Sequence, residues 1–233
     1  MDGILLVDKP AEWTSMDVCA HLRGVLHERH IGHTGTLDPN ATGLLVVLTG
    51  KGTKAAKYAE NDTKEYIARL RLGLRTDTQD IWGTVLEQNG ETRTRSEIEA
   101  ELPRFRGDIM QLPPMYSAIK IRGKKLYEIA RRGGDVEREP RPITIHRLEL
   151  IDRDENGDWG LVVACSKGTY IRTLCADIGD ALGCGGCMSA LRRTRAGDFT
   201  IAEAHTLEEI RQNPEAYIQP IERITGKVTA THG

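Results

Sequence analysis

The stretch Gly-His-Thr-Gly-Thr-Leu-Asp-Pro-Asn-Ala-Thr-Gly, residues 32–43, gathers groups that could do chemistry into one glycine-rich segment. Its carboxylate, Asp38, could act as a nucleophile or as a base, but a single carboxylate needs a partner that keeps it ionised and aimed. Arg172, in Ser-Lys-Gly-Thr-Tyr-Ile-Arg-Thr (166–173), is a candidate partner, although spacing alone does not bring the two together. Taken alone, Asp-Pro in a loop is a turn former or a helix cap. A lone arginine near a helix start is by default a surface or ion-pair residue.

Three other patterns invite chemistry and lose it on inspection. Cys184-Gly-Gly-Cys187 has metal or redox spacing, but a structural zinc site needs four ligands and neither a second pair nor a spaced histidine set exists. Asp152-x-Asp154-x-Asn156-Gly157 imitates the first half of a calcium loop, yet its twelfth position is Val163, where a bidentate Glu is required. Gly50-Lys51-Gly52-Thr53 lacks the frame of a phosphate loop. No metal or cofactor is expected.

The chain has 233 residues, 39% hydrophobic and 28% charged, with a formal charge of −2. That length can bury a substantial core, and one domain is the simplest count. With two Phe, six Tyr and three Trp, contact with nucleic acid must rest on Arg, Lys and backbone more than on stacked rings. The near-neutral total hides a local surplus: Lys120 to Pro142 holds eight Lys or Arg against four acids, a formal charge of +4. A solvated, mixed-charge helix is the plain reading of that surplus. No apolar run is long enough for a membrane span, and the opening residues do not read as a secretion leader. Five scattered cysteines fit free thiols in a reducing cytoplasm.

The elements that must position these groups follow from periodicity. Residues 3–8 read as a strand. A helix capped by Thr14 or Ser15 carries Val18, Leu22, Val25 and Leu26 on one face. Residues 27–42 read as a long loop, and Gly43–Leu48 as a buried strand. Lys51–Tyr58 suggests a short helix, and Tyr66, Ala68, Leu70 and Leu72 alternate along a half-buried strand. Ser96-Glu97-Ile98-Glu99 reads as a capping box, and a basic helix is expected over Lys124–Arg132. Strands at 142–151 and 159–166 flank an Asn156-Gly157 hairpin. A helix at about 170–182 and a last strand that includes Leu191 to Arg195 follow. Interleaved helices and strands, several of the strands joined by tight turns, predict an α+β fold with a mixed, mostly antiparallel sheet.

Several stretches in order resemble the TruB-type tRNA pseudouridine-55 synthases: residues 3–10, 32–45, Lys64-Glu65-Tyr66, 75–78, 114–118, 123–127, 166–172 and 191–193. The resemblance covers about residues 3 to 225 and implies the pseudouridine-synthase fold with a basic RNA-clamping insertion at about 110–145. It implies that uridine in the T-loop of tRNA is flipped out and isomerised, with Asp38 attacking the ribose or taking a sugar proton. Arg172 would pair with Asp38, and Tyr66 would pack on the base and help remove the proton from carbon 5. Tyr170 and Leu191 would line the pocket, Lys9 would stabilise its floor, and His33 would fill the space the base vacates. Lys120, Arg122, Lys124, Lys125, Arg131 and Arg132 would contact RNA phosphates.

The family commonly adds a C-terminal PUA domain, for which residues up to Gly233 leave no room; Cys187 stands where relatives often have His. The expected protein is thus a cytoplasmic monomer of one catalytic domain, with tRNA through its T-arm as partner and no obligate protein partner. Two other functions remain open, a non-catalytic tRNA-folding factor and a synthase acting on another RNA.

Overall fold

A computed structural model of the chain describes residues 2–59, 63–117, 120–121, 124–126, 129, 134 and 136–224, without the side chains of 120, 121, 124 and 125. The chain divides into two compact units, residues 1–66 with 191–233, and residues 67–190.

The first unit is built on β1 (Gly3–Lys9) and β3 (Thr42–Thr49), antiparallel from Gly3↔Thr49 to Lys9↔Gly43. Both strands are apolar at nearly every position because both of their faces are covered. Ile4, Leu6, Leu44, Val46 and Leu48 pack with Phe199 and Ile224. Leu5, Val7, Leu45 and Val47 pack under α1 (Ser15–Leu26) through Val18, Cys19, Leu22 and Leu26. Thr14 caps α1 in a full box with Asp17, which decides between the two expected caps.

The segment read as a loop over 27–42 contains a short strand, β2 (Ile31–His33), paired with Thr49–Val47. Its backbone pairing owes nothing to side-chain alternation, which Ile-Gly-His lacks. In place of one helix over 51–58, a 3-10 turn over Gly50–Ala55 leads into α2 (Ala56–Ala59).

The second unit contains most of β4 (Lys64–Leu72) and the hairpin of β5 (Leu74–Thr76) with β6 (Val85–Gln88). Next come α3 (Arg95–Glu101), β7 (Gly107–Gln111) and the small hairpin of β8 (Lys120–Ile121) with β9 (Lys124–Lys125). The long β10 (Arg141–Arg153) pairs antiparallel with both β7 and β11 (Trp159–Cys165). α4 (Ile171–Ala181) precedes β12 (Gly186–Ala196), whose end runs parallel to β3 inside the first unit, Arg192↔Thr42 and Arg193↔Gly43. β13 (Phe199–Thr200) closes antiparallel on β12. Among the described pairings β3–β12 is parallel and the others within each unit are antiparallel, so the sheet is mixed and the fold α+β.

Two sequence readings of this unit change. The cap of α3 is Thr94 with Glu97, two residues before the Ser96 box. Thr94 Oγ1 receives the Glu97 N–H, and the Glu97 carboxylate returns the bond to the Thr94 N–H. Lys124 and Lys125 start no helix; they lie in β9, opposite Ile121 and Lys120. Lysine by itself favours a helix over a strand, and the cross-strand pairing overrides that preference. The rest of the expected basic helix falls largely outside the described residues.

The Asp154–Asp158 segment is the hairpin turn its sequence suggests. Asp154 Oδ1 accepts the N–H groups of Asn156 and Asp158, and Asp152 pairs with Arg69. Cys184 and Cys187 are separate buried thiols at the entry to β12. Gly185 between them has φ +73° and donates to the Gly179 carbonyl, so the glycines make the tight return from α4. Nothing in the structure explains why both flanking residues are cysteine.

Candidate active site

In the first unit the 32–43 segment is held by buried side chains that bond its backbone. Lys9, at the end of β1, has no exposed surface, and its Nζ donates to the carbonyls of Pro10 (2.8 Å), Trp13 (2.6 Å) and Pro39 (3.0 Å). It thereby ties the residue after Asp38 to the entry of α1. Burial lowers the Lys9 pKa to about 8; the Asp38 and Asp17 carboxylates work against that shift, and the Arg193 charge works with it. The Asp38 carbonyl accepts the Ala41 N–H at 3.0 Å, and the side chain is half-buried.

Arg193 clamps the two ends of the segment. Only 2% exposed, it donates from Nε to the Leu44 carbonyl (2.7 Å) and from Nη2 to the Gly35 carbonyl (3.1 Å). The β3–β12 register puts Arg193 opposite Gly43 and leaves Leu191 one residue before the Arg192↔Thr42 pair. Leu191 and Tyr66 are each only 8% exposed. Thr34, Gly35, Lys64 and Arg193 line a small cationic hollow beside the segment.

His33 lies in β2, opposite Val47. Burial, and then the Arg193 charge, lower its pKa, so the ring is neutral near pH 7. Its Nδ1 is buried without a hydrogen-bond partner among the described residues. A neutral, half-desolvated ring suits stacking on bases better than pairing with phosphate.

In the second unit Arg172 sits in the first turn of α4. Its Nη1 donates to the Thr78 carbonyl (3.0 Å) and its Nη2 to the Tyr116 carbonyl (2.9 Å). Its Nε faces Asp80 Oδ2 at 3.9 Å. Asp80 in turn accepts from Thr78 Oγ1 (2.7 Å) and the Trp82 N–H (3.1 Å) through Oδ1. The Arg75–Thr78 and Pro114–Ala118 blocks, to which the sequence assigned no role, thus supply the acceptors that orient Arg172. Gln79, between them, has φ +64°, and its side chain accepts from Thr173 Oγ1 (2.7 Å). Tyr170 is fixed by Gln111, which donates to its carbonyl (3.0 Å) and accepts its N–H (2.8 Å).

The structure thus gathers Lys9, His33, Asp38, Tyr66 and Leu191 in one unit, and Tyr170 and Arg172 in the other. Among the expected RNA contacts, Lys120, Lys124 and Lys125 lie on the β8–β9 hairpin, whereas Arg122, Arg131 and Arg132 lie outside the described residues. Arg193 and Asp80 were missed by sequence reasoning. The Thr-x-Asp spacing of 78–80 was the one visible sign of the second.

Comparison with known proteins adds to this geometry. A family model described as TruB family pseudouridylate synthase (N terminal domain) matches residues 23–171, and one described as tRNA pseudouridylate synthase B C-terminal domain matches residues 172–224. A protein of Alkaliphilus oremlandii named tRNA pseudouridine synthase B is 47% identical over 224 residues, which cover 95% of this chain and 75% of that one. Proteins of the same name from Pseudomonas putida and Azoarcus sp. are each 50% identical, over 91% and 93% of this chain and 69% and 72% of their own.

Among solved structures, a chain of the Cbf5-Nop10-Gar1 complex superposes with a TM-score of 0.75 at 29% identity, covering 95% of this chain and 61% of that one. A chain of an H/ACA RNP bound to a substrate RNA containing 2′-deoxyuridine gives 0.71 at 27% identity, with 95% and 60% covered. The chain therefore spans about three fifths of the length of those two solved chains.

Proposed function

The chain belongs to the TruB family of pseudouridylate synthases, and from that membership we propose that it isomerises uridine to pseudouridine in the T-loop of tRNA, at position 55. In this reaction the bond from ribose carbon 1 to N1 breaks, the base turns, and carbon 5 bonds to the ribose. The proton leaves carbon 5 and N1 ends protonated, so atoms balance without water or a redox partner.

Asp38 is the reacting carboxylate, attacking the ribose carbon or removing a sugar proton. Tyr66 packs on the base and assists loss of the carbon 5 proton. Arg172 is the cationic partner of the Asp38 carboxylate in the reaction. Leu191 and Tyr170 hold the flipped base, Lys9 carries the floor, and neutral His33 occupies the vacated position in the RNA. Lys120, Lys124 and Lys125, with Arg122, Arg131 and Arg132, contact phosphates of the T-arm. The two units act together as one catalytic domain, in the cytoplasm, as a monomer and without a protein partner.

The observation that carries this reading is the Asp38 segment, clamped by buried Lys9 and Arg193, in a chain 47–50% identical to proteins named for this reaction. The likeness to the solved structures, at 27–29% identity, favours another RNA substrate less.

The test is chemical mapping of pseudouridine in an unmodified tRNA transcript and in an isolated T-arm stem-loop, with Asp38→Asn in parallel. Both RNAs are expected to be modified at the same uridine at similar rates, and the variant is expected to be inert. Absence of product with the wild-type chain overturns the function; an active Asp38→Asn overturns the mechanism alone.

A further inference from the structure

We propose that Ser15 is a positioning residue for Asp38, holding the peptide that precedes it in register for reaction. Ser15 is the first residue of α1, but it does not cap that helix. Thr14 does, by accepting the Asp17 N–H. The Ser15 hydroxyl is thereby released for another use, and the residue is only 2% exposed. Its Oγ accepts the Leu37 N–H at 2.9 Å and donates to the Leu37 carbonyl at 3.2 Å, across 22 residues of chain. One hydroxyl thus satisfies both backbone groups of Leu37, as a neighbouring strand would. Leu37 itself is buried.

Asp38 is therefore bracketed. Ser15 fixes the residue before it, Lys9 fixes the carbonyl of Pro39 after it, and its own carbonyl is taken by Ala41. What freedom remains to Asp38 lies mainly in its side-chain torsions. Removing the hydroxyl leaves a buried N–H and C=O without partners, and such groups draw in water or rearrange. Either response shifts the backbone from which the carboxylate projects. Reacting groups held in near-attack geometry lose roughly 100-fold in rate for a displacement of about 1 Å.

The proposal rests on the reading of Asp38 as the reacting carboxylate, and the experiment separates the two. Single-turnover rates at saturating T-arm RNA are measured with RNA affinity and thermal midpoint for wild type, Ser15→Ala, Ser15→Cys, Ser15→Thr and Asp38→Asn. Alanine and cysteine are expected to slow the saturating rate by about 10- to 100-fold with RNA affinity unchanged, and threonine to recover it to within about fivefold. Cysteine keeps the volume with a weak donor, so it carries the comparison should alanine fail to fold.

If both variants react within about twofold of wild type while Asp38→Asn is inert, the Ser15 proposal alone falls. It falls too if the loss appears only in RNA affinity, as uniform binding would predict. If Asp38→Asn reacts like wild type, the reading of Asp38 fails and the proposal fails with it.

Discussion

Gly43, which ends the Asp38 segment, is where a single added carbon should do most harm. Its φ is +98°, and a Cβ built there would lie 2.3 Å from the Arg193 carbonyl oxygen and 2.8 Å from the Arg193 nitrogen. Real Cβ atoms essentially never come closer than 3.0 Å, so Gly43→Ala must move β3 away from β12 by at least the difference from 2.3 Å. The obstacle is backbone on both sides, which no side-chain rotation relieves. The disfavoured backbone conformation costs about 1–2 kcal/mol. Losing the buried bond from Arg193 Nε to the Leu44 carbonyl adds about 1.5–3 kcal/mol, for an expected total of roughly 2.5–5 kcal/mol, toward the extreme of single substitutions.

Urea unfolding followed by circular dichroism measures it. Gly24→Ala is the control: it lies within α1, no atom comes within 4 Å of the added Cβ, and it should stabilise by about 0.5–1 kcal/mol. A Gly43→Ala loss below about 1 kcal/mol would refute the reasoning, because the close approach would then be cheap to relieve.

Two further predictions concern pH. The Lys9 pKa is lowered from 10.5 to about 8, so between those values the unfolded chain keeps a proton that the folded one has released. Lys9 then contributes stability that is present above pH 10.5 and lost as pH falls through 8, about 3 kcal/mol in all. Wild type should gain that much over Lys9→Met between pH 7.5 and 10.5 in urea titrations; parallel curves would sink the idea. Asp177 in α4 shows the opposite sign. Burial, and then the Asp180 charge, push its pKa from 3.8 up to about 6. Its contribution is therefore complete below pH 3.8 and lost as pH rises through 6. Asp177→Asn should stabilise the protein by about 1–2 kcal/mol at pH 7.5 and leave it unchanged at pH 4; equal effects at both values would count against this.

What could be read from the sequence was what leaves a mark on side chains. The strands β1 and β3 appear as unbroken apolar runs because both of their faces are buried, and α1 appears through Val18, Leu22 and Leu26. The role proposed for Asp38 came from an ordered set of motifs, since its Asp-Pro pair alone suggested a turn. The hidden parts are those in which backbone is the partner. β2 forms within an apparent loop because its N–H and C=O groups pair with β3. Ser15, Lys9 and Arg193 grip carbonyls and amides, which every residue type offers, so the acceptors at Leu37, Pro39 and Gly35 carry no signature. The Arg172 acceptors at Thr78 and Tyr116 were unreadable for the same reason, 94 and 56 residues away.

The β3–β12 pairing also sets an order of events during synthesis. The first unit consists of the two ends of the described chain, whereas the second is one continuous stretch between them. Arg193 and its acceptor Leu44 are 149 residues apart, which at a ribosomal rate of 5–20 residues per second is about 7 to 30 s. During that interval the 67–190 unit can close, while the Thr42–Gly43 end of β3 lacks its β12 partner and the Asp38 segment has one clamp missing. The nascent chain therefore passes through a stage with this part of the sheet incomplete and exposed to aggregation, which the emergence of β12 ends.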